Sequence, residues 1–220
     1  MTLTQISLAF LCLMAVIVGA MLAHSYIDKR RIRKAFRTLA LSVPGEVVQK
    51  NPFVYPYFST LLDGKKTAIF FQVVKAGRRH LLYLIYSIEA KIGTSLLLIK
   101  DAFFRPGADE AALSAASGPL LPRIDGRYLA RSKDEAAATE LFVRADLTDR
   151  LTPLEEFTSF LLGPDSIVAG KPYEGLAEVQ PEAIEKNLSS LNEMASSLER
   201  ASSSIGSTGG APPGDHGSAA

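Results

Sequence analysis

The sequence predicts an α+β fold: an N-terminal single transmembrane helix, an antiparallel β-meander with short helices, and a C-terminal amphipathic helix. Three observations carry that expectation. Residues 1–27 contain no Asp, Glu, Lys or Arg. Between 54 and 100, runs rich in aromatic and β-branched residues are broken by Asp-Gly and other Gly-containing turns, the pattern of hairpin-linked strands. After Pro181, apolar residues at 184, 188, 191, 195 and 198 alternate by four and three, which puts them on one helical stripe.

The 220 residues suffice for one ordinary domain with appendages. Residues 6–23 (ISLAFLCLMAVIVGAMLA) are almost wholly apolar. A helix rises about 1.5 Å per residue and a bilayer core is about 30 Å thick, so the stretch is long enough to cross it. A cleaved signal would have positive charge before the apolar run, whereas here the charges follow it. We therefore read 1–27 as an anchor.

Lys29, Arg30, Arg31, Arg33, Lys34 and Arg37 follow at once, opposed only by Asp28. Such residues stay on the cytoplasmic side, so the amino terminus is expected outside and the rest of the chain inside. Residues 28–37 are read as a basic juxtamembrane segment whose partners are the lipid bilayer and its anionic headgroups. Within the span, Ala15, Gly19 and Ala23 share one face and would let a second helix approach closely, in a homo-oligomer or a larger complex.

Residues 38–200 are expected to form a cytoplasmic α+β domain. Strands are predicted at 54–62, 67–74, 80–89 and 95–100, pairing in sequence, with Pro56 demoting the start of the first. An irregular connection follows, with one short helix at 108–114, then a short strand at 124–130. Ser132 to Glu135 matches a capping box before a helix at 136–143. Thr152 to Glu155 matches another, for a helix stopped by Gly163-Pro164. Residues 166–170 and 176–179 read as a small hairpin around KPYEG. The last helix runs from Pro181 to about Arg200. Its stripe of Ile184, Leu188, Leu191 and Leu198 packs on the sheet by default, with a partner helix as the other reading. Residues 201–220, mostly Ser, Gly, Ala and Pro, form a tail expected to be disordered.

Composition and motifs argue against several functions. One cysteine excludes an internal disulfide. A whole-chain charge of +1 gives no reason to expect nucleic acid as a partner. Gly170-Lys171 suggests a phosphate loop, but Asp165 stands where a glycine is needed and Pro172 where a Ser or Thr is needed. Adjacent carboxylates such as Asp134-Glu135 and Glu155-Glu156 suit first helical turns, where they complement the helix dipole. No catalytic, cofactor or metal site is expected, and no cofactor.

The leading expectation is a non-enzymatic, membrane-tethered module that presents its sheet or the 184–198 helix to an unidentified protein partner. Two other readings differ in class. One is an auxiliary subunit assembled through its span. The other is a ligand-binding or enzymatic domain using His80 or Tyr128, which a deep polar pocket would favour.

Overall fold

The computed structural model describes residues 3–76, 79–101, 120–124 and 126–208. Helix α1 (Leu3–Ser42) runs unbroken for 40 residues, about 60 Å. Pro44 follows its end, and Ser42 Oγ donates to the Leu39 carbonyl at 3.0 Å, so the helix stops where the chain can no longer donate. Its two halves differ in chemistry. In the first, Phe10, Val16 and Met21 are all more than 60% exposed, and the stretch is long and apolar enough to cross a membrane. In the second, Ile32, Phe36 and Leu39 are wholly buried. The helix thus enters the domain without a joint, and the segment expected to be only juxtamembrane supplies core residues. The spacing of 32, 36 and 39 is helical, with bases on the other side.

The strands are β1 (Gly45–Val48), β2 (Tyr57–Leu62), β3 (Lys65–Ala76), β4 (Arg79–Glu89), β5 (Leu96–Lys100), β6 (Leu120–Ile124), β7 (Tyr128–Ser132), β8 (Ser159–Leu162) and β9 (Ser166–Pro172). Among the described residues they form one sheet in the order β1-β2-β3-β4-β9-β8-β5-β7-β6, and every pairing is antiparallel. The expected meander holds from β2 to β4. Asp63 and Gly64 take φ of 50° and 79°, the two positive values that a type I′ hairpin needs. β2 begins directly after Pro56.

The fourth expected strand is placed differently. β5 pairs with β7 and β8, while β4 gives its free edge to β9 over seven residue pairs. Sequential pairing is only a tendency, and a late strand outcompetes a near one when its inward residues continue the core row. The remaining corrections are local. Thr152–Leu154 is a single 3-10 turn, not the start of a helix, and the chain then becomes β8, with Phe160 and Leu162 turned inward and Leu161 outward. β8, not residues 176–179, is the hairpin partner of β9, and Leu176–Val179 is a 3-10 turn. The expected strand at 124–130 divides into the end of β6 and the start of β7 around Gly126. β1 was not foreseen. The expected helix at 108–114 lies outside the described residues.

Helices α2 (Glu135–Arg144), α3 (Leu147–Leu151) and α4 (Pro181–Thr208) complete the fold. The cap of α2 is Asp134, which accepts from the Ala137 amide at 3.0 Å. Ser132 instead ties β7 to the chain before β5, donating to the Ser95 carbonyl at 2.8 Å. α4 reaches Thr208 and Ala201 is buried, so the helix runs into the stretch expected to be tail. Residues 209–220 lie outside the description.

One row in register across the sheet, Phe58, Ile69, Tyr86, Ala169, Phe160, Leu98 and Ala130, is completely buried. It packs in one core with Ile32 and Phe36 of α1 and with Ile184, Leu188, Leu191 and Leu198 of α4. That stripe is buried inside the domain and is not offered to a partner. Ser42 of α1 also donates to Glu185 of α4, and Asn192 donates to Asp63 at 2.6 Å, so both helices are fastened to the sheet.

The neighbouring row, Ser59, Ala68, Ser87, Val168, Leu161 and Leu97, points to the opposite face. There Ala68, Val168 and Leu97 are half-buried and Leu161 is exposed. The sheet therefore keeps one helix-covered face and one more open apolar face.

Gly45 shows how closely β1 is fitted. A Cβ there would lie 2.5 Å from the Phe58 ring and 2.6 Å from the Ser59 carbonyl oxygen. Gly45→Ala should lower stability by about 1–3 kcal/mol, read as a lower urea midpoint for the detergent-solubilised chain.

Candidate membrane-proximal site

Where α1 meets the domain, the β1–β2 connection folds against it. Residues 49–56 are held by their own hydrogen bonds. The Asn51 side chain accepts from the Phe53 amide at 2.9 Å, and Gln49 Nε2 donates to the Val54 carbonyl at 2.8 Å. Pro52 and Pro56 bracket the turn. The result displays Phe53, 57% exposed, and Val54 beside the similarly exposed Tyr26 and Ile27 of α1. The Tyr26 and Phe53 rings are 6.4 Å apart.

Behind this patch lies an aromatic cluster. Tyr55 stacks on Phe71 at 4.7 Å, and Phe71 meets Tyr173 edge-on at 5.1 Å. Lys29 is buried against it, with Nζ 4.9 Å from the centre of the Tyr55 ring and donating to Ser25 Oγ at 2.7 Å. A cation over an aromatic face needs no carboxylate to be accommodated. Burial raises the Tyr55 phenol, and the Asp28 charge raises it further. Burial and the same carboxylate push Tyr173 up to about 12, so both phenols are neutral at physiological pH.

On another side of α1 is a groove of about 620 Å³, bordered by Gln49 and Pro52 of the loop. It is lined by Tyr26, Ile27, Arg30, Arg31, Arg33, Lys34 and Arg37. Of the six basic residues singled out from the sequence, the fold brings five together here and turns Lys29 away. Among the described residues no carboxylate lines the groove and none of the five bases is ion-paired. Arg33 Nε is buried without an acceptor. Five like charges converge on one space, an arrangement that favours an anion.

The sequence expectation contains no such loop, because it places residues 54–56 in a strand, whereas the strand starts at Tyr57. The available signal is the pair of prolines, Pro52 and Pro56, around Phe53, Val54 and Tyr55.

The other candidates are dispersed. His80 is exposed at the start of β4. Tyr128 is buried, with its hydroxyl 3.4 Å from the Phe157 carbonyl and its ring edge-on to Phe160, so it is a core residue. Ala15, Gly19 and Ala23 lie on exposed helix, and nothing stands within 4 Å of a Cβ built on Gly19.

A further polar group sits in the core. The Lys171 side chain is 4% exposed and reaches Glu156 at 2.6 Å and Glu178 at 3.6 Å. Nearby, Asn187 and the Tyr86 hydroxyl approach to 3.5 Å. The hydrogen bond from Lys171 holds Glu156 below its ordinary range.

No family model matches the chain, and no curated protein matches it. A solved structure does: the crystal structure of the mycobacterial trehalose monomycolate transport factor A, TtfA. The two are 13% identical with a TM-score of 0.55, and the match covers 77% of this chain and 95% of that one. At that identity the likeness concerns the fold.

Proposed function

We propose that this chain is a membrane-anchored, non-enzymatic accessory module. Its domain is held at the cytoplasmic face and presents the open side of the sheet to a protein partner in a lipid-transport assembly. The carrying observation is the unbroken helix. Because α1 passes from an exposed apolar half directly into the core, the open sheet face keeps a set orientation to the bilayer, as a docking module requires. The basic residues after the apolar stretch support the cytoplasmic side. The fold likeness to a transport factor supports the kind of assembly.

The test compares two variants in cells lacking their own copy. Leu161→Glu puts a charge on the open face without entering the core, and Gly19→Leu alters only the span. We expect Leu161→Glu to reach the membrane in normal amount and yet fail to restore lipid transport, with Gly19→Leu active. A photo-crosslinking residue at 161 should give one adduct of discrete mass. Loss of transport with Gly19→Leu but not with Leu161→Glu would overturn this reading in favour of assembly through the span.

A further inference from the structure

We infer that the groove between α1 and the β1–β2 loop is a one-to-one site for the phosphate headgroup of an anionic bilayer lipid. This goes beyond the diffuse attraction of any basic segment to a membrane. It rests on the anchor reading but not on the identity of the sheet's partner.

The argument begins with depth. The uncharged run of α1 ends at Ile27, and Arg30 to Lys34 follow within about 5–10 Å along the axis. The headgroup layer of one leaflet is roughly 5–8 Å thick. Helical side chains lean toward the helix amino terminus, which carries these guanidinium groups back toward that layer.

Shape comes next. Helical spacing puts the five bases on one side of α1, and Gln49 and Pro52 wall in one edge of that side. The groove, about 620 Å³, is large enough for a headgroup. Tyr26 and Ile27 line it toward the span, as suits the glycerol and first methylenes of a lipid. Exposed Phe53 and Val54 beside them would dip into the same interface, where aromatic residues settle.

Charge supplies the ligand class. Arginine forks match phosphate oxygens in pairs. Four of the five bases are arginines, and the buried Arg33 Nε has no acceptor among the described residues. Asp28 does not line the groove; its carboxylate lies 3.6 Å from His24 Nε2, one turn back along the helix.

The test uses the full chain in nanodiscs of phosphatidylcholine with a few per cent phosphatidylglycerol, gently released and weighed by native mass spectrometry. One phosphatidylglycerol per chain should be retained. Arg30→Gln/Arg33→Gln/Arg37→Gln should reduce retention at least tenfold, since each base near the surface contributes about 1 kcal/mol. A control removing equal charge elsewhere, Lys66→Gln/Lys75→Gln/Lys133→Gln, should retain the lipid. Both triple variants should melt like the parent, because Arg30, Arg37 and the control lysines are exposed and Arg33 half-exposed.

Equal loss in both variants would show diffuse electrostatics and overturn the site. Displacement of the lipid by millimolar glycerol phosphate would assign the groove to a soluble phosphate and overturn it too. A chain that alkaline carbonate strips from membranes would overturn the anchor reading, and the lipid site with it. A chain that resists carbonate but retains no lipid overturns the site alone.

Discussion

A chain beginning at residue 28 should fold, and one beginning at residue 38 should not. Among the described residues, the first loses none of the buried core. The second loses Ile32 and Phe36, both wholly buried, with Phe36 lying 6.1 Å from the ring of Phe58 and 6.3 Å from that of Phe71. Truncating one buried Ile or Phe to Ala costs about 2–5 kcal/mol, and here both side chains leave together with the backbone that carries them. Typical domains hold only about 5–15 kcal/mol in total, so the loss is comparable to the whole. Circular dichroism and urea titration of the two fragments decide it. The expected result is a cooperative transition for residues 28–220 and none for residues 38–220. Equal midpoints would mean that the second half of α1 rests on the domain without stabilising it.

The second large effect concerns Lys171. Lys171→Met keeps most of the side-chain volume but removes the charge that faces Glu156 and Glu178. Glu178 is only 19% exposed, so its carboxylate would be left without that partner. Breaking a buried pair on one side costs about 3–5 kcal/mol, and the lower end applies because Glu156 reaches solvent. The double variant Lys171→Met/Glu178→Gln should recover much of the loss, because it removes both charges. A double-mutant cycle measures that coupling.

The acid limb changes as well. Glu156 is held below its ordinary range chiefly by the hydrogen bond from Lys171. Its contribution is therefore present above the unfolded glutamate value of about 4.3 and fades as pH falls through the lower folded value. In Lys171→Met that fading should shrink. Stability measured between pH 3 and 7 that kept the parent's slope would contradict the assignment.

Legibility followed the range of the forces involved. The capacity of α1 to cross a membrane, the Asp63-Gly64 hairpin, the presence of α2 and the buried stripe of α4 were readable because each depends on local periodicity or turn chemistry. The boundary at residue 37 misled because the charges of the 28–37 segment obscured the spacing of Ile32, Phe36 and Leu39. Capping patterns misled at Thr152, where tertiary pairing claimed Phe160 and Leu162 for a strand.

The groove shows the division most clearly. Its five bases and their common side of α1 follow from helical spacing, but the packing of Lys29 against the aromatic cluster and the wall made by Gln49 and Pro52 depend on contacts with a loop outside the helix. By itself, the sequence determined an apolar N-terminal helix, a basic stretch after it and an α+β domain, because these follow from short-range pattern. The tertiary structure alone decided that the helix enters the core without a joint, that β9 and β8 separate β4 from β5, and that a loop borders the basic side of α1 to form a groove. Burial is shared between segments that no local window contains.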